Sequence, residues 1–85
     1  MKFERTQCFV YRLRSERRTE LTYIGLTSDL HKRLREHNEG LSKHTARHRP
    51  WYVEIAVWFR DPAKAVAFER YLKSGSGRAF AERHL

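Results

Sequence analysis

Three stretches of the chain are dominated by apolar, β-branched and aromatic positions, the pattern of β-strands. Cys8 to Leu13 sets Phe9, Tyr11 and Leu13 on one face and Cys8, Val10 and Arg12 on the other. Arg14 to Glu20 is charged and without period, which predicts an exposed connection. Leu21 to Leu26 supplies a second strand. The connection is short, so the two strands should pair as an antiparallel hairpin, with Tyr11 and Tyr23 near each other. Trp51 to Phe59 is the third and longest, with Trp51, Val53, Ile55 and Val57 on one face and Tyr52, Glu54, Ala56 and Trp58 on the other.

Helical spacing fills the intervals. Ser28 is a good N-cap, with Asp29 in the first turn, where a carboxylate favours the positive end of the helix dipole. Leu30 and Leu34 make a buried stripe, Arg33 and His37 share the adjoining face, and Gly40 ends a helix that runs from about Asp29 to Asn38. Asp61-Pro62 starts another that extends to about Lys73, because proline suits the first helical position. The Ser74-Gly75-Ser76-Gly77 run should break it, leaving a last short helix from about Arg78 to His84. Glu39 to Pro50 reads as a basic loop with room for one helical turn, and Met1 to Gln7 as a polar, partly frayed lead-in. The order β-β-α-β-α-α predicts an α/β (α+β) domain, one small three-stranded antiparallel sheet flanked by helices. At 85 residues the chain has room for one such domain.

Charge changes the picture from fold to partner. The net charge is +8, and thirteen of the eighteen basic residues are arginine, whose planar fork of donors matches phosphate oxygens. A nucleic acid is the expected ligand. The lone cysteine, Cys8, excludes an internal disulfide and a cysteine-based zinc cluster. No apolar run approaches the roughly 20 residues that span a bilayer, and no leader-like segment follows the start. A cytoplasmic protein, away from membranes, is expected.

Glu69 is the most informative carboxylate. Ala65, Val66, Phe68 and Leu72 surround it on its helix, so it faces a core stripe, where a carboxylate needs a partner. Either an arginine supplies that partner or Glu69 holds a divalent cation such as Mg²⁺ or Mn²⁺, which prefers oxygen ligands. Asp29, Glu36, Glu39, Glu54, Asp61 and Glu82 read as caps or surface charges. Tyr11 and Tyr23 would act as bases only if cations or metal-bound water drew their pKa down. Arg33 borders the core, where it could grip a phosphate bidentately, and His37 is a candidate proton carrier or phosphate contact. His44 and His48 lack the companions of a zinc site. Lys43, His44, Arg47, His48 and Arg49, beside Trp51 and Tyr52, form a basic and aromatic cluster that could track a nucleic-acid backbone, with Lys32, Lys73 and Arg78 as further candidate contacts. The glycine turn before Arg78 lacks the spacing of a Walker loop.

Phe9-Val10-Tyr11 followed, after a hairpin, by Tyr23-Ile24-Gly25 resembles the two signature tripeptides of the GIY-YIG nucleases. The stretch from Thr27 to Gly40 is similar to that family's arginine-bearing helix. Lys43 to Trp51 and Ala67 to Arg78 resemble later blocks of its small stand-alone bacterial members. The resemblance implies a divalent-metal phosphodiesterase. Tyr11 and Tyr23 match the two signature tyrosines, Arg33 the arginine on the scissile phosphate, His37 a histidine one turn later, and Glu69 the metal-binding glutamate. It departs in Phe9, which replaces a glycine, and in having no asparagine after Asn38. The expected function is endonucleolytic hydrolysis of DNA, in repair or recombination, with RNA also conceivable and with a second copy or protein partner for targeting. The alternative is a non-catalytic nucleic-acid-binding module; a protein-interaction domain would leave the charge unexplained.

Overall fold

The computed structural model describes residues 8–85, so the expected lead-in, residues 1–7, lies outside the described residues. The elements are β1 (Cys8–Ser15), β2 (Thr22–Thr27), α1 (Leu30–Asn38), a 3₁₀ turn (Ala46–His48), β3 (Trp51–Phe59), α2 (Pro62–Lys73) and α3 (Gly75–His84). The strands form one antiparallel sheet in the order β2-β1-β3, as the α+β pattern predicts.

Each face of the sheet has its own apolar cluster. Tyr11, Leu13 and Trp51 are buried on one face, with Leu21, Tyr23, Val53 and the α1 residues Leu30 and Leu34 packed on them. Val10 is buried on the other face with Ala65 and Leu72 of α2 and Ala81 of α3, flanked by Phe59, Phe68 and Phe80. Cys8 is half-buried, takes part in no disulfide and packs on this second cluster.

Several boundaries differ from the sequence pattern for identifiable reasons. The long apolar alternation of β3 does not keep one face. The register with β1 slips between Arg12 and Leu13, so Arg12 pairs with Ile55 but Leu13 with Val53. A β-bulge at Glu54 therefore puts Trp51 and Val53 with Leu13, and Val57 and Phe59 with Val10 and Cys8. Glu54 is consequently not a solitary surface charge. Its carboxylate accepts Nε of both Arg12 and Arg14 at 2.8 Å, which holds its pKa below the usual carboxylate range through the Arg14 hydrogen bond. Arg12 is only 7% exposed, a charge that is tolerable there because Glu54 pairs it. Arg14 belongs to β1 rather than to the connection.

The α1 cap is Asp29, one residue later than Ser28, because Asp29 is extended and its carboxylate accepts from the Lys32 amide at 3.1 Å. The Thr27 hydroxyl, accepting from the Asp29 amide, sets that approach. Gly40 stands at φ 80° just past the helix, as a left-handed terminator must. The break between α2 and α3 is Ser74 alone. Its hydroxyl donates to the Tyr71 carbonyl at 2.6 Å and accepts from the Gly77 amide at 3.1 Å, closing one helix and opening the next. Gly75 to Arg78 is therefore the first turn of α3 and not a loop.

Candidate active site

Gly25 lies directly opposite Tyr11 in the β1–β2 ladder. A Cβ there would collide with the Tyr11 hydroxyl and stand 2.6 Å from Cζ, so glycine is what lets the phenol lie across the neighbouring strand. Tyr11 is 2% exposed and its Oη meets His37 Nε2 at 2.9 Å. Tyr23, two residues before Gly25 on the same face, brings its ring centroid 6.4 Å from Tyr11 and 5.1 Å from His37. The expected closeness of the tyrosines is present, and His37 completes a three-ring cluster.

His37 is fully buried, and its other nitrogen, Nδ1, lies 2.6 Å from Thr45 Oγ1. Burial first, and the Arg33 guanidinium second, lower the imidazole pKa to about 4, so the ring is neutral at pH 7. With both nitrogens engaged and no surface exposed, His37 touches the Tyr11 hydroxyl rather than solvent or a phosphate. Thr45 is equally buried. The Trp51 indole donates to its carbonyl at 2.8 Å, and the Asn38 side chain clasps the Trp51 backbone at 2.6 and 3.0 Å. The loop after α1 is thereby pinned to the end of that helix.

Arg33 is aimed by Glu36, whose Oε1 accepts from Nη1 at 3.0 Å. Glu36, expected to be a plain surface charge, thus orients the arginine. Burial raises the Tyr11 pKa, outweighing the opposing pull of the nearby Arg33 guanidinium. Tyr11 accordingly holds its proton at neutral pH.

A family model described as the GIY-YIG catalytic domain matches residues 7–82. The chain belongs to the GIY-YIG family. It is 35% identical over 66 residues to "Structure-specific endonuclease subunit SLX1" of Cryptococcus neoformans, covering 73% of this chain and 14% of that protein. It is 44% identical over 64 residues to the protein of the same name from Malassezia globosa, covering 69% of this chain and 14% of that one. It is also 40% identical over 52 residues to "UPF0213 protein YazA" of Bacillus subtilis, covering 60% of this chain and 52% of YazA. The chain thus spans about one seventh of the length of the SLX1 relatives.

In this GIY-YIG chain Glu69 is half-buried on α2, its side chain 15% exposed. The partner of its carboxylate is a lysine rather than an arginine: Lys73 Nζ stands 2.7 Å from Oε2, one helical turn on. The same ammonium lies 5.8 Å above the Tyr23 ring, so Glu69, Lys73 and Tyr23 adjoin. Among the described residues no three His, Cys, Asp or Glu side chains gather into a metal-binding group. Glu69 is thus a single oxygen ligand already occupied by Lys73, and an oxygen-preferring cation there would have to take the place of the ammonium and draw its remaining ligands from water and phosphate.

The other basic candidates divide into two groups. Lys43, His44, Arg47 and Arg49 are exposed on the loop that carries Thr45, and Lys32 is exposed on α1. Lys73 and Arg78 are exposed on either side of the Ser74 joint. Trp51 is buried core, whereas Tyr52 is 40% exposed. Thr45 was not foreseeable: it lies in a loop without periodicity, and a threonine between cations carries no signal of burial. No helix among the described residues is long and apolar enough to cross a membrane.

Proposed function

We propose that this chain is a divalent-metal-dependent endonuclease that hydrolyses phosphodiester bonds in DNA. The observation that carries the reading is the convergence of Tyr11, Tyr23, Arg33 and His37 beside the Glu69–Lys73 pair, in a chain of net charge +8. Membership in a family described as a catalytic domain supports it, as do relatives named structure-specific endonuclease subunits.

Arg33, steadied by Glu36, grips the phosphate and offsets charge that develops on it. Water attacks phosphorus while its proton passes to the Tyr11 oxygen, and the Tyr11 proton moves to His37 Nε2; the bond to the leaving oxygen breaks. Docking of the phosphate neutralises Arg33, removing one of the two causes that depress His37 and making the imidazole a better acceptor in the complex than in the free protein. Glu69 would hold the Mg²⁺ or Mn²⁺ in place of Lys73, and the ion would supply Lewis-acid stabilisation of the leaving oxygen. Lys32, Lys43, His44, Arg47, Arg49, Lys73 and Arg78 follow the flanking backbone. The pathway we assign is repair or recombination, in the cytoplasm, with a second copy or a protein partner directing the domain.

The test incubates purified protein and its Glu69→Ala variant with labelled linear, single-stranded and branched DNA in Mg²⁺, Mn²⁺ or EDTA, with RNA as a competitor. Metal-dependent cutting that disappears in the variant is expected. Absence of cutting on every substrate, with equal binding by both proteins, overturns the reading and leaves a binding module.

A further inference from the structure

A second feature adjoins the ring cluster on the far side of Tyr23. A cleft of about 470 Å³ opens between the start of β2, the end of α2 and the first turns of α3. That volume lies within the range of small-molecule pockets, roughly 300–1,000 Å³. We propose that this cleft is a subsite for one unpaired nucleotide of the DNA, next to the scissile phosphate; the inference rests on the nuclease reading and specifies its substrate.

The lining has the chemistry of a nucleotide rather than of a bare anion. Leu21, Ile24 and Leu72 give apolar walls against which a base can lie, and Tyr23 offers a ring to stack on. Lys73 and Arg78 supply cations for the attached phosphate. Arg78 is exposed and has no ion pair among the described residues. Glu82 lines the same cleft, and a carboxylate there repels an isolated phosphate but accepts from the exocyclic amino group of a base. A site with both signs of charge and apolar walls selects a whole nucleotide.

Position ties the cleft to cutting. Tyr23 belongs both to the cleft and to the ring cluster with Tyr11 and His37, and Lys73 links the cleft to Glu69. β2 is an edge of the sheet, so a strand of DNA can run past it without meeting another strand of the protein. A base lying against these walls has left its duplex, at an unstacking cost that an already unpaired nucleotide avoids. Substrates with a flap, fork or gap beside the cut site are therefore favoured over continuous duplex.

The test measures affinity in EDTA, where nothing is cut, for a blunt duplex and for the same duplex with a short single-stranded flap carrying 2-aminopurine at its first unpaired position. Cutting of both is then measured in Mg²⁺ and Mn²⁺. Two variants are compared with the wild type: Thr22→Trp, which fills the cleft from an exposed strand position, and Arg78→Ala, which removes the phosphate contact. The wild type should prefer the flap about tenfold, the scale of one stacked base, with a change in 2-aminopurine fluorescence. Both preference and fluorescence change should collapse in Thr22→Trp and shrink in Arg78→Ala, with circular dichroism establishing that both variants fold. Equal wild-type affinity for the two DNAs, or a preference that survives Thr22→Trp, overturns the inference while Glu69-dependent cutting leaves the nuclease reading standing. A preference that obeys both variants without cutting on any substrate overturns the nuclease reading instead, and with it the link between the cleft and scission.

Discussion

Substituting Gly25→Ala isolates the contact on which the ring cluster depends. The added methyl would meet the Tyr11 hydroxyl, with Cζ at 2.6 Å and Cε1 at 3.0 Å. The backbone of Gly25 is not in the left-handed region, so alanine brings no torsional strain and the whole cost is steric. The phenol cannot swing away cheaply, because it is 2% exposed, tied to His37 and packed on Tyr23. Overpacking of this kind costs about 1–3 kcal/mol, and a lost Tyr11–His37 hydrogen bond adds about 1 kcal/mol. Replacing glycine by alanine in a strand returns about 0.5–1 kcal/mol. The net expectation is a loss of about 2 kcal/mol, or about 8–16 °C in Tm for a domain of this size. Urea denaturation of Gly25→Ala, of Tyr11→Leu and of the double variant makes the assay a double-mutant cycle. In the Tyr11→Leu background the obstructing ring is gone, so the alanine should become neutral or mildly stabilising. An equal cost in both backgrounds, or no cost in the wild type, would refute the steric argument.

Other outcomes follow from the same cluster and from the helical joint. His37 has a folded pKa of about 4 against an ordinary 6.5, so the unfolded chain binds the extra proton between those values. Stability should be level above pH 6.5 and fall by at most about 3 kcal/mol as pH drops to about 4, and His37→Gln should flatten the slope between pH 5 and 6.5 in thermal melts. Thr45→Val removes the partner of Nδ1 and should cost about 1–3 kcal/mol, with a displaced ¹⁵N shift for His37 that Thr45→Ser restores; an unmoved shift would mean that the threonine does not position the ring. Gly77→Ala would drive a methyl into the backbone carbonyl of Tyr71 and to 2.8 Å from the Leu72 Cα, neither of which can turn aside; a loss of about 3 kcal/mol is expected in urea, and a cost below about 1 kcal/mol would show that the helices separate freely.

Much of this architecture was written in periodicity and caps. The three strands, the hairpin, the Asp61-Pro62 start and the Gly40 stop all follow local rules, and those rules held because each was reinforced by a buried face. What escaped depends on contacts between distant segments. The bulge at Glu54 left the apolar alternation of β3 intact in sequence while moving half of it to the other face, because the slip is set by pairing with Arg12 and Arg14. Gly75 and Gly77 look like a breaker, yet Gly77 is glycine because α3 passes against the end of α2. Tyr11, Tyr23, Arg33 and His37 could be picked out as a set, but not the burial of His37 or its support by Thr45, since the latter comes from a loop held in place by distant segments, through Asn38, Trp51 and the Ser15 hydroxyl.

The single-residue joint at Ser74 has a bearing on how the molecule discriminates among ligands. One hydroxyl serves both helix ends, and the close seating of Gly77 leaves no slack between them. Glu69 and Lys73 on one arm and Arg78 on the other are therefore carried by a rigid elbow, their separation set before any ligand arrives. Little ordering entropy remains to be lost there on binding, and little adaptation is on offer to a ligand of the wrong shape. Selectivity in such a module comes from exclusion: a mismatched ligand departs quickly, and affinity differences among ligands appear in dissociation rates while association stays nearly uniform.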